Sequence, residues 1–374
     1  MEVMRAAERI ELAGGDVLHL EVGQPATAAP QGVRDAAAHA LATHPLGYTT
    51  PLGLPALREA ISTHYGDWYD RDVDPDRIVI TAGASGACVL AFLALFNPGD
   101  RVVVPSPGYP CYRNMLSAFG VKVVDLLVDE STRFQPTPAL LAELGPIDGL
   151  VVASPSNPTG TMIHAAEMND LTAWCDANGV RLISDEIYHG ISYGTTAPTA
   201  AAYSDHSIIV QSFSKYFSMT GWRLGWMIIP TDMREAFVRL AANLFISPPT
   251  LSQIAAVAAF DCHDELTANI ARYGENRRIL LDGLRAAGFE RLAPADGAFY
   301  VYAHTGHLSD NSQALTASWL ADIGVAATSG VDFDPQRGHE SVRFSFAGAP
   351  ADMSEAVRRI GDWVATEGED GAAS

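Results

Sequence analysis

Ser212-Phe213-Ser214-Lys215, with Gly221-Trp222-Arg223-Leu224-Gly225 close behind it, is the stretch on which the reading of this chain turns. Lys122 and Lys215 are the only lysines in 374 residues, whereas arginine occurs 22 times. A chain that uses arginine almost everywhere for positive charge has kept an amine at position 215. Arginine cannot form a Schiff base with a carbonyl compound; lysine can. Lys215 is therefore the first candidate for a covalent anchor. Lys122, in Val121-Lys122-Val123-Val124, reads as a strand residue facing solvent. Alone, Lys215 would read equally well as a chance surface residue, so its surroundings have to decide.

The length suits one large domain and a smaller one, and 48% hydrophobic residues supply a sizeable core. A formal charge of −20 repels nucleic acid and anionic lipid, so neither is expected as a partner. Cys88, Cys111, Cys175 and Cys262 show no metal-ligand spacing and no C-x-x-C, so they read as reduced, packed thiols and no metal site is expected. Met1-Glu2-Val3-Met4-Arg5-Ala6-Ala7-Glu8 is an acidic amphipathic start with no apolar leader behind it. No apolar run is long enough to span a bilayer. A cytoplasmic protein is expected.

Outward from Lys215, short apolar runs alternate with helical patterns. Strands are predicted at Arg77–Thr81, Arg101–Pro105, Lys122–Val128, Gly149–Ala153, Arg181–Ser184, Ser207–Gln211 and Trp226–Ile229. Most are rich in Val and Ile and apolar on both faces, the pattern of strands covered by helices on two sides. Helical patterns fall between them at Gly86–Phe96, Tyr109–Phe119, Ala165–Asn178 and Met233–Leu244. This is an α/β, doubly wound, mostly parallel sheet of seven strands. Beyond it come a long helix (Thr267–Ala287), strand-like runs at Phe299–Tyr302, Val325–Ser329 and Ser341–Phe346, and a last helix from Pro350. The division expected is a large domain over 26–275 and a smaller α+β domain from 1–25 and 276–374.

In a doubly wound sheet, ligands sit beyond the carboxyl ends of the strands. Ala82-Gly83-Ala84-Ser85-Gly86-Ala87 follows the first strand and opens a helix, whose free amides and dipole suit a phosphate; it reads equally as a tight packing turn. Ser154-Pro155-Ser156-Asn157-Pro158-Thr159-Gly160 either aims an amide into the cleft or is an ordinary Asn-Pro turn. Asp185, in Asp185-Glu186-Ile187-Tyr188, is a carboxylate straight after a buried strand, which is costly unless paired. A protonated ring nitrogen would pair it; a helix N-cap is the other reading.

Taken together, N-P-T-G (157–160), D-E-I-Y (185–188), S-F-S-K (212–215) and G-W-R-L-G (221–225) resemble the class I/II aminotransferases, pyridoxal-phosphate enzymes of the aspartate-aminotransferase fold. The resemblance extends to Gly47-Tyr48-Thr49-Thr50-Pro51-Leu52-Gly53, to Pro105-Ser106-Pro107-Gly108-Tyr109-Pro110 and to Val342-Arg343-Phe344, and so covers nearly the whole chain. It implies pyridoxal 5'-phosphate as cofactor, held covalently by Lys215, whose amine, once freed, serves as the proton-moving base. Asp185 would pair with the ring nitrogen. Asn157 and Tyr188 would bond the ring's 3-hydroxyl oxygen, and Tyr109 would stack on its face. Ser85, Gly86, Ser212 and Arg223 would hold the phosphate, with Tyr48 reaching it from a second subunit, which implies a homodimer with shared sites. Arg343 would grip the substrate carboxylate, and Gly23 would line the pocket through its backbone. Relatives of this kind carry a longer segment before Asp16–Pro25, so a shortened N-terminal arm is expected.

The implied reaction is transfer of an amino group between an amino acid and a 2-oxo acid; the same residues would also serve a carbon–sulfur β-lyase. No second arginine is matched to a side-chain carboxylate, and His44-Pro45-Leu46-Gly47-Tyr48, Gln24 and Tyr112, the candidates for the pocket wall, are apolar or neutral. A neutral or hydrophobic amino donor is expected. A non-catalytic relative would have lost Lys215 or Asp185, and a dinucleotide-binding oxidoreductase would show G-x-G-x-x-G after its first strand; neither applies.

Overall fold

Val, Ile and Leu runs bounded by turn residues form the strands, and the register between them decides where the turns meet. The computed structural model describes residues 2–372. In chain order the strands are β1 (Leu18–His19), β2 (Ile78–Thr81), β3 (Arg101–Ser106), β4 (Lys122–Leu127), β5 (Gly149–Ala153), β6 (Arg181–Asp185), β7 (Ile208–Ser212), β8 (Gly225–Ile228), β9 (Tyr300–His304), β10 (Val325–Ala326), β11 (Thr328–Ser329) and β12 (Ser341–Ser345). The large sheet has seven strands in the order β2-β8-β7-β6-β5-β3-β4. β8 runs antiparallel to both β2 and β7, and the other pairs are parallel. All seven predicted strands are present, with ends that differ by one residue or not at all.

The two-sided burial read from the sequence is visible strand by strand. Leu150, Val152, Leu182 and Ile209 enter one core, while Val151, Ile183, Ile208 and Val210 enter the other. The first core is closed by helices Pro55–Tyr69 and Ala165–Asn178, and the second by Gly83–Leu95 and Arg234–Leu244. Each such Val, Ile or Leu contributes about 1.5–3 kcal/mol on burial, so the sheet's position between the layers is strongly determined. Lys122 is exposed at the sheet edge.

The run Val325–Ser329, read as one strand, is two. β10 pairs in parallel with β1, and β11 pairs antiparallel with β12, with Ala327 between them. A run with no turn residue inside it carries no mark of where it changes partner. β12 lies between β11 and β9, which sets Arg343 opposite both Thr328 and Tyr302. The helix predicted from Gly86 begins at Gly83 instead, and the long helix spans His263–Ala286.

Candidate active site

The register brings five turns to one edge of the sheet. Ala153 pairs with Asp185, and Asp185 with Val210, so the residues after β5, β6 and β7 emerge side by side. Because β8 is antiparallel, its start pairs with the ends of β2 and β7, Gly225 facing Thr81 and Ser212. Arg223 and the Gly83–Ser85 turn therefore reach the same place. Between them lies a cleft of about 280 Å³ lined by Gly23, Ser85, Tyr109, Asn157, Asp185, Tyr188, Ser212, Lys215, Arg223 and Arg343, among others.

Lys215 Nζ donates to the Gly23 carbonyl at 2.6 Å and lies 5.8 and 5.9 Å from the ring centres of Tyr188 and Phe299. Burial strips water from the ammonium and lowers its pKa to about 8; Arg343 and Arg223 push the same way, and Asp185 opposes them. Asp185 is 3% exposed. Its Oδ1 accepts from the Ile187 N–H at 3.1 Å, and its Oδ2 accepts from the Tyr112 hydroxyl. Burial pushes this carboxyl up to about 6, against the pull of those two hydrogen bonds and of Lys215. Both donors are neutral, so the site holds a buried acid whose charge is only partly compensated.

The opposite wall is built on β12. Arg343 Nη1 donates to Asn157 Oδ1 at 3.0 Å, and Nη2 donates to Thr328 Oγ1 at 3.2 Å and to the Glu21 carbonyl. The guanidinium lies between the rings of Tyr300 and Phe333, 4.5 and 4.8 Å from their centres. Its Nε is buried without a partner, a vacant donor that an incoming carboxylate could satisfy. Tyr188 Oη lies 2.8 Å from Tyr300 Oη. A Cβ at Gly23 would stand 1.8 Å from Tyr300 Oη, so any larger residue here has to displace the Tyr300 ring.

At the other end, Ser85 opens the helix Gly83–Leu95 in its first turn, beside Ser212, Ser214, Thr220 and Arg223. Ser212 Oγ donates to Ser214 Oγ at 2.8 Å and accepts from the Ser214 N–H at 3.0 Å. Gly83 has φ +72°, and a Cβ there would lie 2.6 Å from Arg223 Nη2, so the arginine comes directly over the helix start. Free amides, hydroxyls and a guanidinium together fit a phosphate.

Three expectations are corrected or refined. Gly86 is buried in the helix interior and does not line the cleft; Ala84 does, because the helix starts three residues earlier than read. Tyr112 lines the cleft, but its hydroxyl is committed to Asp185 rather than presented to a substrate side chain. Gln24 lies in a separate groove with Thr27, Ser218 and Trp222. Tyr48 is 83% exposed and outside this chain's own cleft. Tyr109 is partly exposed at the cleft wall. Gly23 lines the cleft with its backbone, as read, whereas Tyr300, Phe333 and the Glu21 carbonyl escaped the sequence reading. Only Tyr300 carried a signal, in the alternating run Phe299-Tyr300-Val301-Tyr302. Among the described residues no His, Cys, Asp or Glu cluster is fit for a metal ion, and no helix is long and apolar enough to cross a membrane.

Known proteins match this architecture along the whole chain. The family profile described as aminotransferase class I and II matches residues 15–360. A valine–pyruvate aminotransferase from Mycobacterium tuberculosis is 51% identical over 372 residues, covering 98% of this chain and 96% of the relative. A crystal structure of an aminotransferase from Mycobacterium tuberculosis superposes with a TM-score of 0.96 at 51% identity, covering 98% of this chain and 96% of that one. The aspartate aminotransferase of Thermus thermophilus with maleate gives 0.90 at 29% identity, covering 96% and 95%.

Proposed function

The chain belongs to the class I and II aminotransferases, and from that premise we propose that it works with pyridoxal 5'-phosphate and prefers amino donors with neutral, apolar side chains. The enzyme moves an amino group between an amino acid and a 2-oxo acid. One observation carries the cofactor reading: an amine with its pKa lowered to about 8 and a buried, half-compensated carboxylate share a single cleft that has a phosphate-type cradle at one end.

In this reading Lys215 would hold the cofactor covalently, and Asp185, oriented by Tyr112 and the Ile187 N–H, would pair with its ring nitrogen. Tyr109 would cover the ring, Asn157 and Tyr188 would address its hydroxyl, and Ser85, Ser212 and Arg223 would hold its phosphate. Bound there, pyridoxal phosphate supplies an aldehyde and an electron-withdrawing ring. The protein's own residues do the rest. Arg343 takes the substrate carboxylate with its guanidinium, and the Tyr300 and Phe333 rings keep the guanidinium plane fixed. Lys215 Nζ, whose lowered pKa of about 8 makes its neutral form far more accessible than an ordinary lysine's, takes the proton from the donor's α-carbon and, in the reverse half, returns one to the oxo acid's α-carbon.

Donor preference follows from the charges available. The cations lining the cleft are Lys215, Arg223 and Arg343, each with a task in this reading, which leaves none for a side-chain carboxylate. The relative named for valine and pyruvate, at 51% identity, supports the same preference. The lyase alternative is not favoured, since the relatives are aminotransferases. The reading includes a homodimer in which Tyr48 reaches the partner's phosphate site, a cytoplasmic location, and a large domain of 26–275 beside a smaller one of 1–25 and 276–374. The test is a half-reaction screen with purified, yellow protein. Valine and alanine should bleach the aldehyde absorbance and aspartate should not, and borohydride should fix the cofactor on Lys215. A label on Lys122, or release of ammonia with pyruvate, would overturn the reading.

A further inference from the structure

His189 follows directly on Asp185-Glu186-Ile187-Tyr188, is 4% exposed, and does not line the cleft. Its ring spans two segments. Nε2 lies 2.9 Å from the Ser154 carbonyl, and Nδ1 lies 2.7 Å from Tyr69 Oη. A carbonyl can only accept, so Nε2 carries a proton. With the ring neutral, Nδ1 is an acceptor and Tyr69, at the end of the helix Pro55–Tyr69, donates to it. Glu186 Oε2 is 3.5 Å from the same Nδ1 and has no hydrogen-bond partner. Glu186 Oε1 is already satisfied by Ser184 Oγ at 3.0 Å and the Ala200 N–H at 2.8 Å. Burial pushes Glu186 up to about 8 and His189 down to about 3, which agrees with two neutral groups rather than an ion pair.

Ser154 begins the turn that carries Asn157, and Asn157 Oδ1 fixes one edge of the Arg343 guanidinium at 3.0 Å. The far end of that turn is held independently, by Gln135 Nε2 on the Thr161 carbonyl at 3.0 Å and by the Gly297 N–H on the Gly160 carbonyl at 2.8 Å. The near end is tied by the Ser154 N–H to the Asp185 carbonyl at 3.1 Å and by His189. We propose that His189 is a positioning residue for substrate binding: its Nε2–H, held in that tautomer by Tyr69, pins the Ser154 end of the turn so that Asn157 keeps Arg343 aligned for the substrate carboxylate. This deepens the reading of Arg343 and Asn157 given above and rests on it.

The experiment compares two amide variants in the full-length purified enzyme. Glutamine places its Nε2 where the histidine Nε2 stood and keeps the donor; asparagine does not reach. H189N should raise KM for both amino acid and oxo acid roughly tenfold, the worth of one lost buried hydrogen bond, while kcat changes far less. H189Q should restore KM to near the original. Hydrogen exchange supplies a readout apart from activity. The Ser156 and Ile163 amides, bonded to Thr161 O and Ser154 Oγ at 2.9 Å each, should exchange roughly tenfold faster in H189N and at the original rate in H189Q. A lowered melting temperature with unchanged KM and unchanged exchange at these amides would mean that His189 merely fills space, and the proposal fails. Should H189N not fold, Y69F keeps the packing and removes only the donor to Nδ1; it should raise KM and Ser156 exchange, and no change in either overturns the proposal. If the unaltered enzyme transaminates nothing, the functional reading fails, yet exchange at Ser156 and Ile163 still decides whether His189 pins the turn.

Discussion

Asp185→Asn should make the cofactor-free protein more stable at neutral pH while weakening its grip on the cofactor. In the folded chain the Asp185 carboxyl titrates at about 6 instead of 3.8, chiefly because burial desolvates its charged form. Well below pH 3.8 the carboxyl is neutral in both folded and unfolded chains and costs nothing. As pH rises, the unfolded chain ionises first, and the native state loses stability until its own carboxyl ionises near 6. At about 1.4 kcal/mol per pH unit, a displacement from 3.8 to about 6 amounts to about 3 kcal/mol at pH 7 and above. Asparagine carries no charge to desolvate and can still accept from the Ile187 N–H through its oxygen. Urea unfolding of cofactor-free wild type and variant, followed from pH 4 to 8, gives the difference directly. The two curves should lie within about 0.5 kcal/mol of each other at pH 4 and separate by up to about 3 kcal/mol by pH 7, with the variant more stable. Glu186 also titrates above its usual range, but it is present in both proteins and largely cancels. With cofactor bound the order should reverse, because a ring cation compensates the carboxylate of the wild type alone. A difference that does not vary with pH, or a variant less stable throughout, refutes the claim that this acid is held in the fold at a cost.

The remaining predictions concern the groups around it. Tyr112→Phe removes one of the two donors to Asp185, so the carboxyl should move further above its usual range and cofactor affinity should fall roughly tenfold, read by fluorescence titration. Arg343→Lys loses the planar fork with its vacant Nε and should raise KM for the amino acid roughly 10- to 100-fold with a smaller effect on kcat; an unchanged KM removes Arg343 from the carboxylate site. Gly23→Ala places a Cβ 1.8 Å from Tyr300 Oη, so the ring stacked on Arg343 must shift, at about 1–3 kcal/mol; thermal melting and KM should both worsen, and neither changing would show that the ring is free to move. In the cofactor-free protein the Lys215 ammonium should lose its proton as pH rises through about 8, measured by mass spectrometry as the pH dependence of acylation at that residue; a midpoint at the usual lysine value contradicts the burial argument.

Much of the large sheet and of the cofactor side of the cleft was legible in the residues. Apolar runs of five or six residues broken by Gly, Pro, Asn and Asp mark buried strands and their ends, and in this fold the strand ends are the site. Lys215, Asp185, Asn157 and Ser85 each sit within a few residues of such an end, so a local reading placed them. Where the local signal is weak, sequence misleads: Gly83 at positive φ starts the helix rather than preceding it, so Ala84 and not Gly86 lines the cleft. The run 325–329 held no sign that its two halves join different sheets.

What the amino-acid order determined by itself is the set of strands, the two-sided burial of the sheet and the turns that end it, because these depend on interactions between near neighbours and on apolar period. Only the tertiary structure decided that Tyr112 supports Asp185, that Arg343 lies between Tyr300 and Phe333 with Asn157 at its edge, that the Gly23 carbonyl receives Lys215, and that His189 reaches Ser154. Those pairs are separated by 73, 186, 192 and 35 residues where they are hydrogen-bonded. Their meeting depends on strand register and on where the smaller sheet docks, and hydrophobic period, which repeats identically after a slip of two residues, does not encode either.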